Sequence, residues 1–194
     1  MAGEVEDISL IYVKDPGKVA NCNEFIQAVA QYLGGKHPID LVTPFAGKSQ
    51  DIVAKFAKAK PDPPFVSVAT KDEATKLANA GQFVVAGLTA DEMRKYQPGA
   101  TMGHIVVVAP GGPSKPLSEI KDPKGNIIKN KNGKPQEAHG GYPYCYQGAH
   151  YGAYQFNHKT QVDVVFPSLS LPHIHYAYID ILRVSQPAAR TREI

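Results

Sequence analysis

The chain's 194 residues are 43% hydrophobic and 20% charged, enough apolar side chain to bury one substantial core, so a single domain over 1–194 is expected. A formal net charge of +3, with no dense Lys/Arg stripe interleaved with aromatics, argues against a nucleic-acid partner. No long apolar run follows the acidic start Glu4-Val5-Glu6-Asp7, so neither a secretory signal nor a membrane span is expected; Cys22 and Cys145 could form one disulfide, but nothing in their spacing suggests a framework.

Ile8 to Val13 reads as a short strand or extended lead-in, stopped by the turn signal Lys14-Asp15-Pro16-Gly17. Cys22, Phe25, Ile26, Val29, Ala30 and Leu33 then repeat at helical spacing, with Asn21 or a residue just before it as N-cap and Gly34-Gly35 as the stop. This puts Cys22 in the first turn, on the inward face. A second helix is expected from Ser49, using Ile52, Val53 and Phe56, and Pro61, Pro63 and Pro64 keep it short. Thr70-Lys71-Asp72-Glu73 has the form of a capping box for a third, through Ala74, Leu77 and Ala78 to Gly81.

Phe83 to Ala86 and Ile105 to Ala109 read as buried strands. Residues 113–141 are rich in Lys, Pro, Gly and Asn and are expected to form a surface insertion, with a weak hairpin signal near 125–133. Strands are expected again at 142–147, 161–166 and 174–182, from their β-branched and aromatic bias. No internal repeat is visible. Helices first and then a mostly antiparallel sheet make the expected class α+β.

Two segments carry chemistry: Asn21-Cys22-Asn23-Glu24-Phe25 and Gly103-His104-Ile105-Val106-Val107-Val108. A thiol becomes a nucleophile when ionised, and a helix N-terminus and an imidazolium both favour the thiolate. The first-turn N–H groups of the same helix can stabilise an oxyanion. A lone cysteine on an apolar helix face is ordinarily a small buried hydrophobe. The flanking Asn21 and Asn23, and a histidine at the opening of a strand, favour a catalytic pair of Cys22 and His104 instead. If the strand at 142–147 pairs antiparallel with 104–109, Gln147 comes beside His104 as the group that orients the ring, with His150 and Asn157 as alternatives. Asn21, Asn23 and Tyr146 complete the site as substrate-binding or oxyanion groups.

Other features point to structure. His173 and His175 share a strand face, but no Cys, Asp or Glu cluster accompanies them, so no metal is expected. Cys145 lies mid-strand and is expected to be inert. Tyr142, Tyr144, Tyr146, Tyr151 and Tyr154 are mainly packing residues, one face of which could line a cleft. Gly111-Gly112 is a turn and not a phosphate loop.

On these two segments the chain resembles the papain-like cell-wall hydrolases of the NlpC and CHAP families. Asn21, Cys22, Asn23 and Phe25 follow their helix motif, although Asn21 stands where the NlpC group usually carries Asp. Gly103-His104 and the apolar run after it follow their strand motif, and Tyr142 to Gly148 is similar to the next strand in bacterial amidases of this type. The resemblance implies a papain-like fold and cleavage of an amide bond in the peptide part of peptidoglycan, with no metal or cofactor. It also implies an antibacterial effector, made in the cytoplasm and exported to a target periplasm by a dedicated secretion system, with a cognate immunity protein as partner. Lipid acyltransferases of the same superfamily share an Asn-Cys-x-x-Phe segment but carry their histidine upstream of the cysteine, and no histidine precedes Cys22 here. A non-catalytic papain-like binding module and a cysteine protease acting on proteins stand as alternatives.

Overall fold

A computed structural model of the chain describes residues 2–14, 21–96, 98–112, 126, 141–148, 150–151, 154–155, 160–161 and 174–181. In chain order these form helices α1 (Ala2–Lys14), α2 (Cys22–Gly34) and α3 (Ser49–Phe56), strand β1 (Val66–Val68), helix α4 (Lys71–Asn79), strand β2 (Phe83–Leu88), helix α5 (Ala90–Tyr96) and strands β3 (His104–Val108), β4 (Tyr144–Tyr146), β5 (His150–Tyr151), β6 (Tyr154–Gln155), β7 (Thr160–Gln161) and β8 (His175–Ile179). Six strands make one antiparallel sheet in the order β1-β8-β2-β3-β4-β7, and β5 pairs with β6 apart from it. The architecture is α+β.

The sheet is covered on both faces, which is why its central strands are apolar without alternation. Phe83, Val85, Ile105, Val107, Tyr146, Ala177 and Ile179 point to one face and pack under α1, α2 and α3. Val84, Ala86, Leu88, Val106, Val108, Cys145 and Tyr176 point to the other, against Ala74 and Ala78 of α4 and Met93 of α5. α2 buries the whole stripe expected of it, Cys22, Phe25, Ile26, Val29, Ala30 and Leu33. The start and buried side chains of α3 also follow the periodicity. The Thr70 hydroxyl accepts the Glu73 N–H at 3.1 Å and opens α4 as its motif predicts.

The first segment departs from expectation. Ile8 to Val13 is helical, the second half of α1, and not extended. Val5, Ile8 and Ser9 are buried among its described side chains, an i, i+3, i+4 pattern that becomes visible only when Val5 is included. The helix is tied down at Glu4, 3.1 Å from His37 Nε2 and 3.4 Å from Lys36 Nζ, and at Glu6, which accepts the Tyr146 hydroxyl at 2.6 Å. The chain order also differs, because α4 and α5 alternate with strands to cover the second face. β1 and α5 are elements without a sequence expectation. The expected strands at 142–147, 161–166 and 174–182 are represented by Tyr144–Tyr146, Thr160–Gln161 and His175–Ile179. Residues 162–166 and 182, Asn157, His173 and nearly all of 113–141 lie outside the described residues.

Candidate active site

Cys22 is the first residue of α2. Asn21 caps the helix: its side-chain oxygen accepts the Glu24 N–H at 2.9 Å, and its carbonyl accepts the Phe25 N–H at 3.0 Å. The asparagine before Cys22 therefore spends its amide oxygen on the helix end. Asn23 follows in the first turn, partly buried.

His104 opens β3. The residue before it has to be glycine for lack of room: a Cβ on Gly103 would lie 2.5 Å from the Leu88 carbonyl oxygen and 3.1 Å from the Cα of Gln50. The backbone at the start of α3 thus runs directly over the start of β3. Gln147 lies one residue past β4. The antiparallel register Val107↔Tyr146 and Val108↔Cys145 carries position 147 toward the His104 end of β3. A Cβ on Gly148 would come within 2.3 Å of the Phe25 Cβ, so the end of this segment lies flat on α2. Glycine-sized gaps on both sides let two strand ends and two helix starts converge.

The result is a buried polar row. His104 Nε2 lies 2.8 Å from Gln147 Oε1, and each residue is 2% exposed. An amide oxygen can only accept, so Nε2 carries the proton and Nδ1 is left as the basic nitrogen for Cys22. Gln147 Nε2 is buried with no hydrogen-bond partner among the described residues. Cys22 is 8% exposed and carries a free thiol, with Sγ 3.2 Å from the hydroxyl of Ser49.

Charge follows from this packing. Burial pushes the Cys22 thiol up, but attraction to His104, with hydrogen bonds from His104, Ser49 and the Ile105 backbone, outweighs it and lowers the pKa to about 7. Burial pushes the His104 imidazole down, and the Cys22 thiolate and the Gln147 hydrogen bond outweigh that and raise it. Each charge thus favours the other, the imidazolium the thiolate and the thiolate the imidazolium. Such a pair can attack a carbonyl carbon and then protonate a leaving amine.

Tyr146, His150 and His175 fall outside this polar row. Tyr146 is on the same face of the sheet, but its hydroxyl is held by Glu6 of α1, and burial, with that carboxylate adding to it, raises its pKa. His150 belongs to β5, outside the main sheet. His175 Nε2 lies 2.7 Å from Glu92 Oε1, whose other oxygen accepts the Thr89 N–H and hydroxyl at 2.8 Å each. That trio fixes the start of α5. Among the described residues no three His, Cys, Asp or Glu side chains form a metal-binding group. Ser49 is the site neighbour that sequence reading placed only as a helix start. Its contact with Cys22 spans 27 residues, and no local pattern encodes it.

No family model matches this chain, and no curated protein matches it in sequence.

Proposed function

We propose that the protein is a cysteine-dependent hydrolase that cuts an amide bond in the peptide part of peptidoglycan. One observation carries the chemistry: His104 lies between a free cysteine at a helix N-terminus and the side-chain oxygen of Gln147. The choice of substrate, the papain-like fold and the associated immunity protein and export route rest on the resemblance of the Cys22 and His104 segments to cell-wall hydrolases.

The Cys22 thiolate attacks the scissile carbonyl carbon. Backbone N–H groups of the first turn of α2 stabilise the negative oxygen of the tetrahedral intermediate. The C–N bond breaks as the His104 imidazolium gives its Nδ1 proton to the leaving amine. Neutral His104 then takes a proton from water, the hydroxide adds to the thioester, and the carboxylic acid leaves as the thiolate reforms. Gln147 keeps the ring in the tautomer and orientation that both steps need.

Incubation with purified peptidoglycan, followed by mass spectrometry of released peptides, tests this reading. Cys22→Ala and His104→Ala should each lower the rate by roughly 10³-fold or more while the far-UV spectrum is kept. A folded Cys22→Ala protein with undiminished activity overturns the mechanism. An activated Cys22 with no peptide release overturns the substrate and favours a protease on other chains. The binding-module reading draws on the near closure of the site, where His104 and Gln147 are each 2% exposed. An unreactive Cys22 would favour it.

A further inference from the structure

Serine at a helix start ordinarily caps its own helix. Ser49 does not, because it is the first residue inside α3, one past the cap residue Lys48, and the Lys48 N–H is taken by Asp51 Oδ2 at 3.3 Å. Its hydroxyl turns instead to the nucleophile, 3.2 Å from Cys22 Sγ, and Ser49 is 1% exposed. We propose that Ser49 is the fourth member of the site, a hydroxyl donor that holds the Cys22 sulfur as a thiolate and aims it. The proposal rests on the hydrolase reading, in which that sulfur is the nucleophile.

The direction of the bond follows from the charge state. A thiolate has no proton to give, so the Ser49 O–H donates, and a hydrogen bond to an ionised acceptor is about twice as strong as one between neutral groups. The position is built. Gln27 of α2 donates from Nε2 to the carbonyls of Phe45 at 2.9 Å and Gly47 at 3.0 Å, and Lys55 of α3 donates to the Pro44 carbonyl at 2.8 Å. The segment leading into α3 is therefore pinned by both helices that meet at the sulfur. Gly103 lets the Gln50 backbone settle beside the residue that precedes His104. Exposure separates two roles for the hydroxyl. Ser49 is less exposed than Cys22, 1% against 8%, so its hydroxyl is the less accessible of the two to a substrate and acts on the thiolate.

A hydroxyl that merely found a buried acceptor would leave the ionisation of Cys22 unchanged when removed. The test is the iodoacetamide rate of Cys22, read by peptide mapping from about pH 4 to 9, in the wild type, Ser49→Ala and Ser49→Thr. The Ser49→Ala midpoint should move up by about one pH unit, a rate roughly tenfold lower on the acid side, with an unchanged plateau at high pH. Ser49→Thr, which keeps the hydroxyl, should restore the low midpoint. An unchanged midpoint in Ser49→Ala beside a low wild-type midpoint overturns the Ser49 proposal and leaves the hydrolase reading standing. An ordinary thiol midpoint in the wild type overturns both. Should Ser49→Ala fail to fold, the Ser49 Cβ resonance of the wild type gives the answer. It should titrate with Cys22 and stay flat in Cys22→Ala; a flat resonance in the wild type also overturns the proposal.

Discussion

Cys22 and Cys145 sit on opposite faces of the same sheet, neither in a disulfide and both buried, at 8% and 0% exposure. Cys22 begins a helix and meets an imidazole, a hydroxyl and a backbone N–H. Cys145 is the middle residue of β4, packed in the cluster of Val84, Val106 and Val108. On the face of α1–α3, two helix starts and two strand ends bring polar groups to the sulfur. On the face of α4 and α5, strand centres bring apolar side chains. Burial alone raises a thiol pKa, so what separates the two cysteines is which ends of the secondary structure they meet.

The largest expected difference between the faces is chemical. With its pKa lowered to about 7, Cys22 is half thiolate at that pH. Cys145 reaches reagent only when the sheet opens. Mass spectrometry after a short iodoacetamide pulse near neutral pH should show Cys22 modified on the order of 100-fold faster. Amide hydrolysis should be bell-shaped in pH, rising through about 7 as Cys22 ionises and falling above the raised pKa of His104 as the imidazolium loses its proton. The same shifts act on stability with opposite signs. The depressed Cys22 pKa stabilises the fold above the unfolded thiol value of 9.0 and is lost as pH falls through about 7. The raised His104 pKa stabilises below 6.5 and is lost as pH rises through its folded value. Equal labelling of the two cysteines would erase the comparison.

The face that carries the candidate site was also the more legible in sequence. The α2 stripe gave the helix and its buried side, and antiparallel pairing of two apolar strands was enough to put Gln147 beside His104. Ser49 was out of reach because its partner lies across a loop and a packed helix. The helical character of α1 is hidden because Ile8 to Val13 alone has the β-branched and aromatic look of a strand, and the helical spacing needs Val5, which precedes it. α5 carries one local signal, Thr89-Ala90-Asp91-Glu92, which repeats the form of the capping box at Thr70, with the Thr89 hydroxyl and the Glu92 carboxylate joined at 2.8 Å. Among its described side chains the short α5 segment has a single residue, Met93, in the second core cluster, too little apolar periodicity to mark a helix. β1 shows only Val68 buried, which hides a three-residue edge strand.

A smaller effect should separate the faces through packing. Gly148→Ala puts a Cβ 2.3 Å from the Phe25 Cβ and 2.8 Å from its Cγ. Phe25 is fully buried on α2, so the strand end has to move. The expected cost is about 1–3 kcal/mol in urea unfolding, and the displaced Gln147 should lower hydrolysis as well. Loss of stability with the alkylation profile of Cys22 intact would mean that the Gln147–His104 contact tolerates the shift, and the claim that Gly148 sets the site geometry would fall.

The smallest effect should come from the other face and leave the site untouched. Thr70→Ala removes the acceptor for the Glu73 N–H at the start of α4, a loss of about 1 kcal/mol, or roughly 2–4 °C in Tm for a chain of this size. α4 packs through Ala74 and Ala78 against the cluster that holds Cys145, with the sheet between it and Cys22. The Cys22 midpoint should therefore stay where it is in Thr70→Ala, while it moves in Gly148→Ala. A shared shift would mean that the sheet passes strain from one face to the other and that Cys22 is tuned by the whole fold. Separate responses would locate the tuning in the few residues where α2, α3, β3 and the end of β4 meet.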